Sequence, residues 1–311
     1  MHILIANVGN VRMNEIKALA QALNKKHKVT IACMAMDCSY RGLAFTFQDA
    51  PVRVSPLLYK DIIKNSGWVA AKDPGKMLRE QGKAKLAAFD DIAAYEFYSN
   101  PADAVSIMMS EIMISEKPDL VICGINNGVH MGQDIYSAGN IGLAMEGVFF
   151  HTPSIAVAVE WKNGGHSEEE LENAVEFIEK NVEKFASFKL PYTFLNINIP
   201  TVKRYKDFKG VKISRMGRMT QLSEYEEKED VKGNKYYWAK KVDRANADRE
   251  EWARTWFDKN YITIVPINYD ATDHTAVAQW EKSIIQQMKA AAERSEQEVA
   301  FASKVFAGGV K

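Results

Sequence analysis

Residues 118–147 constrain the fold of this chain more than any other part of the sequence. They begin with a short apolar run at 120–123, which is typical of a buried strand. A loop rich in glycine and asparagine follows, and residues 141–146 have the composition of the first turns of a helix. A strand, a glycine-rich loop and a helix N-terminus in this order let backbone N–H groups approach an anion closely. The segment therefore predicts an α/β unit with a ligand-binding loop.

The first 200 residues alternate short apolar strands with helices. Strands are predicted at 3–6, 29–32, 120–123, 155–159 and 194–199, and helices at 14–23, 103–115 and 167–185. The last helix begins with Ser167 and Glu170 at the spacing of a capping box. Apolar strands that alternate with helices predict an α/β fold, a three-layer, doubly wound and mainly parallel sheet. Ligands bind such sheets at the carboxyl ends of the strands.

The last third of the chain changes character. A hairpin is predicted at 210–245 with a turn at 232–235, then a strand at 262–267 that returns to the main layer, and a helix at 275–306. The predicted domains are a core at 1–205, a β-hairpin excursion for oligomerisation at 206–260, and the returning strand with a C-terminal helical arm at 261–311.

Charge and cysteine content limit the class of protein. The 311 residues carry 40 basic and 40 acidic side chains, and a net charge of zero argues against nucleic-acid and membrane-surface binding. The three cysteines are odd in number, which favours a reduced, cytoplasmic protein. No apolar run reaches the roughly 18 residues of a membrane helix, and the N-terminus has a strand pattern without a basic leader.

Several segments together resemble the SurE survival-protein family of metal-dependent nucleotidases and phosphatases. The most specific are the Gly-Ile-Asn run at 124–126 and the Met-Glu-Gly ending at 145–147. The others lie at 3–7, 16–20, 100–105, 195–200, 233–238 and 261–266. The resemblance implies a hydrolase that acts on nucleoside phosphates or similar small phosphates. It also implies that residues 57–95, which are charged and are predicted as helices joined by a turn, are an insertion.

The resemblance implies a divalent cation, Mg²⁺ or Mn²⁺, and here the sequence departs from the family. Members carry Asn-Asp-Asp-Gly after the first strand, and both carboxylates, a later serine and the asparagine of Gly-Ile-Asn hold the ion. The corresponding run is Asn7-Val8-Gly9-Asn10, which lacks both acids, while Ser39 and Asn126 match the neutral ligands. Two neutral oxygens hold a hexacoordinate dication poorly. A glycine at position 9 could also serve a backbone conformation that aspartate tolerates poorly.

Other polar residues of these loops are candidates for ligand contact. His130 stands inside the glycine-rich loop, where it could be a cationic contact or a proton donor, and it is the candidate catalytic residue; a surface histidine is the alternative. Asp37 and Asp134 could rebuild a metal site or be solvated loop residues. The family's phosphate-contacting Ser-Gly-Thr run is Ala138-Gly139-Asn140 here. The predicted contacts to substrate or phosphate are Asn7, Gly9, Asn10, Asn127, Gly128, Gly139 and Asn140.

Three functions stay open for this sequence, all with a small phosphorylated or nucleoside-like ligand. The first is a SurE-type phosphomonoesterase with a degenerate metal site. The second is a non-catalytic binder that has kept the anion loop. The third is an enzyme with metal-independent chemistry on a nucleoside-like substrate. The resemblance also implies pairing through arms, so the aromatic and apolar residues Tyr236, Trp238, Trp280 and Ile284 predict a homodimer or homotetramer.

Overall fold

The computed structural model describes residues 1–46, 51–58, 92–160, 166–217, 220–244, 249 and 251–307. Two compact units are present, one over residues 1–269 and the other from residue 270 onward. The first unit contains a large sheet, its covering helices and a hairpin. The strands of this unit are β1 (His2–Asn7), β2 (Lys28–Met34), β3 (Arg53–Leu58), β4 (Ala93–Tyr98), β5 (Leu120–Asn127), β6 (Ser154–Val159), β7 (Thr193–Ile199), β8 (Val211–Ile213), β9 (Thr220–Glu229), β10 (Lys235–Arg244) and β11 (Ile262–Asn268).

The main sheet has nine strands in the order β3-β4-β2-β1-β5-β6-β7-β11-β8. The pairs from β4 through β7 are parallel, and so is β11 with β8. Strand β3 runs antiparallel to β4, and β11 runs antiparallel to β7. The five strands predicted within the first 200 residues lie side by side as β2-β1-β5-β6-β7, so the prediction of a mainly parallel sheet is confirmed.

Helices cover both faces of the sheet and give three layers. They are α1 (Asn14–Leu23), α2 (Pro101–Ile107, extended by a π-helical turn at Met108–Ile112), α3 (Gly139–Phe149), α4 (Glu168–Ser187) and the short α5 (Ala253–Phe257). The second unit contains α6 (His274–Ala307). Alternate residues of β1 point to opposite faces. Ile3 and Ile5 pack with α1 and α4, whereas Leu4 and Ala6 pack with α2 and α3. The predicted three-layer α/β class is therefore confirmed.

Helix α4 begins with the predicted capping box. The Ser167 side chain accepts a hydrogen bond from the Glu170 backbone N–H, and the Glu170 carboxylate accepts one from the Ser167 N–H. Two backbone donors at the helix start are thereby satisfied. This cap fixes where the chain enters α4, immediately after His166.

The helices predicted for residues 57–95 are wrong at both ends of that segment. Leu57 and Leu58 belong to β3, and residues 93–95 belong to β4. Strand β4 carries two alanines and Glu96, residue types depleted in strands, so its pairing with β2 decides its conformation rather than local propensity. The predicted turn and most of this segment lie outside the described residues, and its status as an insertion stays a prediction.

The predicted hairpin is present as β9 and β10, two antiparallel strands of ten residues each. Asp230 closes the turn by accepting backbone hydrogen bonds from Lys232 at 2.8 Å and Asn234 at 2.9 Å, and Gly233 supplies a φ of 81°. Within the described part of the chain, no helix combines the length and the apolar character needed to cross a membrane. The division at residues 205 and 260 stays a prediction.

Candidate functional site

A cavity of about 660 Å³ opens at the carboxyl edge of the central strands. It lies where β1, β5 and β6 end and where the chain turns after β2, which is the expected position for a ligand on a parallel sheet. The structure brings eight of the predicted site residues into its lining: Asn7, Gly9, Asn10, Ser39, Asn126, Asn127, Gly128 and His130.

Asn126 and His130 form the polar centre of this lining. The amide nitrogen of Asn126 lies 3.2 Å from the carbonyl oxygen of Asn127, 3.1 Å from that of Gly128 and 3.0 Å from His130 Nε2. Because the two carbonyls can only accept, this nitrogen is a donor. Its two hydrogens can both go to these carbonyls, so the contact to Nε2 can be exchanged for a ligand.

His130 is fixed by β7 and is not a surface histidine. It is buried, its backbone N–H donates to Asn198 Oδ1 at 2.7 Å, and its carbonyl accepts from Asn196 Nδ2 at 2.8 Å and Asn198 Nδ2 at 3.2 Å. Two asparagines on a neighbouring strand thus position the backbone of this residue. The alternative of a surface histidine is wrong, because β7 covers the loop that carries it.

The turn after β1 uses its asparagine side chains internally. Asn7 is 1% exposed; its Oδ1 accepts from the Gly9 N–H at 2.9 Å and its Nδ2 donates to the Ile125 carbonyl at 3.2 Å. Asn10 Oδ1 accepts from the Arg12 N–H at 2.9 Å. The polar atoms of Asn7 therefore hold the turn against β5, and what this turn presents to a ligand is mainly its backbone.

Gly139 and Asn140 begin α3 next to the cavity, although neither is part of its lining. Gly139 donates its N–H to the Ser39 carbonyl at 2.8 Å, and a Cβ on it would lie 2.6 Å from Val8 Cγ1. This glycine therefore permits close packing of α3 against the β1 turn. Asn140 is 1% exposed; its Oδ1 accepts from the Val8 N–H at 3.3 Å, and its Nδ2 has no hydrogen-bond acceptor among the described residues.

A buried polar network behind Asn127 was not predicted from the sequence. Glu15 Oε1 accepts from Asn127 Nδ2 at 2.8 Å and lies 3.0 Å from His166 Nε2, which in turn lies 2.9 Å from Asn127 Oδ1. His166 and Glu15 are only 7% and 8% exposed as side chains. Both polar ends of the Asn127 side chain are used in this network. Asn127 is thereby held in place, and its predicted contact with substrate would fall to its backbone.

Charged side chains of both signs line the remaining wall. Asp37 accepts a hydrogen bond from the Ser39 N–H at 2.9 Å and a second from the Ser39 hydroxyl. Glu160 accepts from Thr201 through its N–H at 3.2 Å and its hydroxyl at 3.1 Å. Asp134 is buried, and Arg254 of α5 also reaches the cavity. Glu160 and Arg254 are additions to the predicted set, and they are brought in from distant segments by the fold.

The residues present do not fit the divalent cation that the resemblance implies. Val8 is 1% exposed and belongs to the apolar core, and Gly9 has no side-chain ligand. Asn126 and Ser39 supply neutral oxygens, and the hydroxyl of Ser39 is already bonded to Asp37. Across the described ranges, no three histidine, cysteine, aspartate or glutamate side chains are grouped so that they could hold a metal ion.

The fold and the cavity define a class: a three-layer α/β protein with a polar pocket, rich in asparagine and glycine, at the carboxyl edge of a parallel sheet. The family model described as "Survival protein SurE" matches residues 3–223. The chain belongs to the SurE family, as its sequence segments predicted.

Curated relatives and a solved structure agree with this assignment. The 5'-nucleotidase SurE of Trichodesmium erythraeum (strain IMS101) is 30% identical over 284 residues, which cover 88% of this chain and 93% of that protein. The 5'-nucleotidase SurE of Caldanaerobacter subterraneus subsp. tengcongensis is 34% identical over 190 residues, 60% of this chain and 71% of that protein. The crystal structure of the SurE protein from Aquifex aeolicus has a TM-score of 0.66 at 24% identity, over 90% of this chain and 98% of that one, and shows the shared fold.

Proposed function

We propose that this chain is a phosphomonoesterase of the SurE class that binds nucleoside phosphates or similar small phosphates in the cavity at the carboxyl edge of the sheet. The observation that carries the proposal is that the asparagine- and glycine-rich loop, the β1 turn and Ser39 line one cavity. The names of the relatives, 5'-nucleotidases, support the same substrate class.

Groups that a phosphate can contact lie around this cavity on several elements. Gly128 has a φ of 101°, and a Cβ on it would meet no atom within 4 Å, so a ligand can approach its backbone closely, while its N–H donates to the Val159 carbonyl at 2.8 Å. Ala138 precedes the first turn of α3, whose N–H groups favour an anion. Arg254, which is ion-paired with Asp258 at 2.8 Å, adds a guanidinium to the wall. The helix start and this guanidinium are the groups that favour a phosphate.

His130 is the proposed proton-transfer residue. Its Nε2 lies 3.0 Å from the Asn126 amide nitrogen, and that amide has two carbonyl acceptors besides. When a ligand displaces the contact, a neutral His130 can take the proton of the water that attacks phosphorus through Nε2; the P–O bond to the nucleoside breaks, and the imidazolium returns the proton to the leaving oxygen. The loss of hydrolysis in His130→Gln, with nucleotide binding kept, tests this role.

Hydrolysis without a resident metal ion, with His130 as the base, and binding without catalysis are the two alternatives to metal-dependent hydrolysis. Both are favoured by Val8, an apolar side chain buried in the core where the resemblance implies a carboxylate. Phosphate release from nucleoside monophosphates, measured with and without a chelator, separates the three functions. Release that the chelator abolishes indicates a metal-dependent hydrolase, unchanged release indicates metal-independent chemistry, and binding without release indicates a binder.

Calorimetry with a panel of nucleoside monophosphates tests the ligand assignment. Asn126→Ala should weaken binding at least about tenfold, which corresponds to 1.4 kcal/mol. Asn181→Ala is the matched control, because Asn181 lies on α4 and donates to Phe177 of its own helix at 2.8 Å. Equal affinity of wild type and Asn126→Ala would contradict the assignment.

We also propose a homodimer or homotetramer in the cytoplasm. The hairpin exposes Tyr236 and Trp238, and α6 exposes Trp280 and Ile284, each by more than two fifths. Aromatic side chains are enriched at protein interfaces. The three cysteines are buried and free, which supports a reducing compartment.

A further inference from the structure

Val8, Gly9 and Met13 form the floor of the cavity beside β1, and none of them carries a charge. Val8 points into the core beneath α3, with its Cγ1 2.6 Å from the position of a Cβ on Gly139. Beside it, Met13 lies against Gly9, and the Met13 sulfur is 2.2 Å from the position that a Cβ on Gly9 would take. A side chain at position 9 therefore requires the flexible Met13 side chain to shift. Gly9 has no side chain, and the Met13 side chain occupies the space where one would be.

We infer that Val8, Gly9 and Met13 together exclude a divalent cation from the cavity, so that its ligand binds without a resident metal ion. Removing a dication from water requires anionic ligands to offset the lost hydration. Val8 and Gly9 offer none, and the Met13 side chain must move before a carboxylate at position 9 can take its place. The inference rests on the proposed function only for the nature of the ligand.

The charged residues of the cavity wall do not replace the missing carboxylates. Asp37 accepts hydrogen bonds from the N–H and the hydroxyl of Ser39, and Glu160 accepts hydrogen bonds from the N–H and the hydroxyl of Thr201. Arg254 in the same lining is ion-paired with Asp258 at 2.8 Å, so its guanidinium adds little net charge to the wall. Among the residues that the structure describes, the acids of the wall do not come together with further histidine, cysteine or carboxylate side chains in a group of three that could hold a metal ion.

Introducing carboxylates at positions 8 and 9 in steps tests this inference. Mn²⁺ binding is measured by calorimetry and by the electron paramagnetic resonance signal of free Mn²⁺. Wild type should have no Mn²⁺ site that is lost in the Asn126→Ala variant. Val8→Asp with Gly9→Asp should bind weakly, because Met13 blocks the second carboxylate. Adding Met13→Ala to these two changes should tighten Mn²⁺ binding at least about tenfold, or 1.4 kcal/mol. Met13→Ala alone should gain no Mn²⁺ binding and serves as the control.

Three outcomes would overturn the inference. One is a stoichiometric Mn²⁺ site in wild type that Asn126→Ala abolishes; this measurement needs no engineered carboxylate and stands even if the multiple variants do not fold. The second is equal Mn²⁺ affinity of the double and triple variants, with thermal unfolding showing both to be folded, which would remove the role of Met13. The third is nucleotide affinity of wild type that requires added Mn²⁺. Failure of nucleotides to bind at all, with no Mn²⁺ bound, would instead contradict the proposed function and leave the neutral floor intact.

Discussion

Replacing Glu15 by alanine should destabilise the protein strongly, because Glu15 is the shared acceptor of the buried network behind Asn127. Its Oε1 accepts from Asn127 Nδ2 at 2.8 Å and lies 3.0 Å from His166 Nε2. Glu15 and His166 are more than nine tenths buried as side chains, so water cannot replace the lost partner easily. The network joins the start of α1, the end of β5 and the residue before Ser167.

The magnitude follows from the two lost hydrogen bonds. A hydrogen bond to a charged group contributes about 1.5–3 kcal/mol, and truncating one member of a buried pair costs about 3–5 kcal/mol. Glu15→Ala should therefore lower the free energy of unfolding by about 3–5 kcal/mol. At about 2–3 °C per kcal/mol for a chain of this size, the unfolding midpoint should fall by roughly 6–15 °C.

Thermal unfolding followed by circular dichroism measures this shift. Glu176→Ala on α4 is the matched control, because it removes a glutamate whose ion pair with Lys180 is exposed, and exposed pairs contribute little to stability. Glu15→Gln keeps an acceptor oxygen of the same reach and should fall between the two. Equal midpoints for Glu15→Ala and Glu176→Ala would refute the reasoning, since they would mean that the network contributes no more than a surface pair.

Three further predictions concern packing, pH and assembly. Gly142→Ala should lower stability by about 1–3 kcal/mol in urea unfolding, because its Cβ would lie 2.3 Å from the Gly42 carbonyl oxygen. Burial raises the pKa of Glu146 above its ordinary value of 4.5, so the folded state favours the protonated carboxyl and stability falls as pH rises through the raised pKa. Glu146→Gln should therefore stabilise the protein more at pH 7 than at pH 4. Equal stabilisation at the two pH values would contradict this prediction. Sedimentation at micromolar concentration should show a dimer or larger, whereas a single 35.0 kDa species would contradict the proposed assembly.

The central sheet could be predicted from the sequence because its strands are buried on both faces. Residues 3–6, 120–123 and 155–159 are continuous apolar runs, and such runs have few alternatives in an α/β protein. Strands β3 and β4 escaped prediction because they lie toward an edge and have mixed composition. Ala93, Ala94 and Glu96 resemble a helix locally, and only pairing with β2 and β3 makes them a strand.

The part of the candidate site that comes from one sequence segment could be predicted, and the part that distant segments form together could not. Asn126, Gly128 and His130 belong to one loop, and the unusual glycine content of that loop identifies it. Glu15 and His166 are 151 residues apart, and nothing in either neighbourhood indicates that they meet. Contacts of this kind depend on where α1 and the start of α4 fall on the same face of the sheet, which local patterns do not encode.

Position 9 shows how a local explanation can differ from the physical one. A glycine there suggested a backbone conformation that aspartate tolerates poorly, yet the φ of Gly9 lies outside the left-handed region. What stands at this position is Met13, the residue before α1, whose sulfur lies 2.2 Å from where a Cβ on Gly9 would be. Restoring the acidic pair at positions 8 and 9 without changing Met13 would therefore place a carboxylate against a thioether. The inferred exclusion of a metal ion therefore involves three positions, and the third becomes visible only when the turn after β1 is seen packed against the residue before α1.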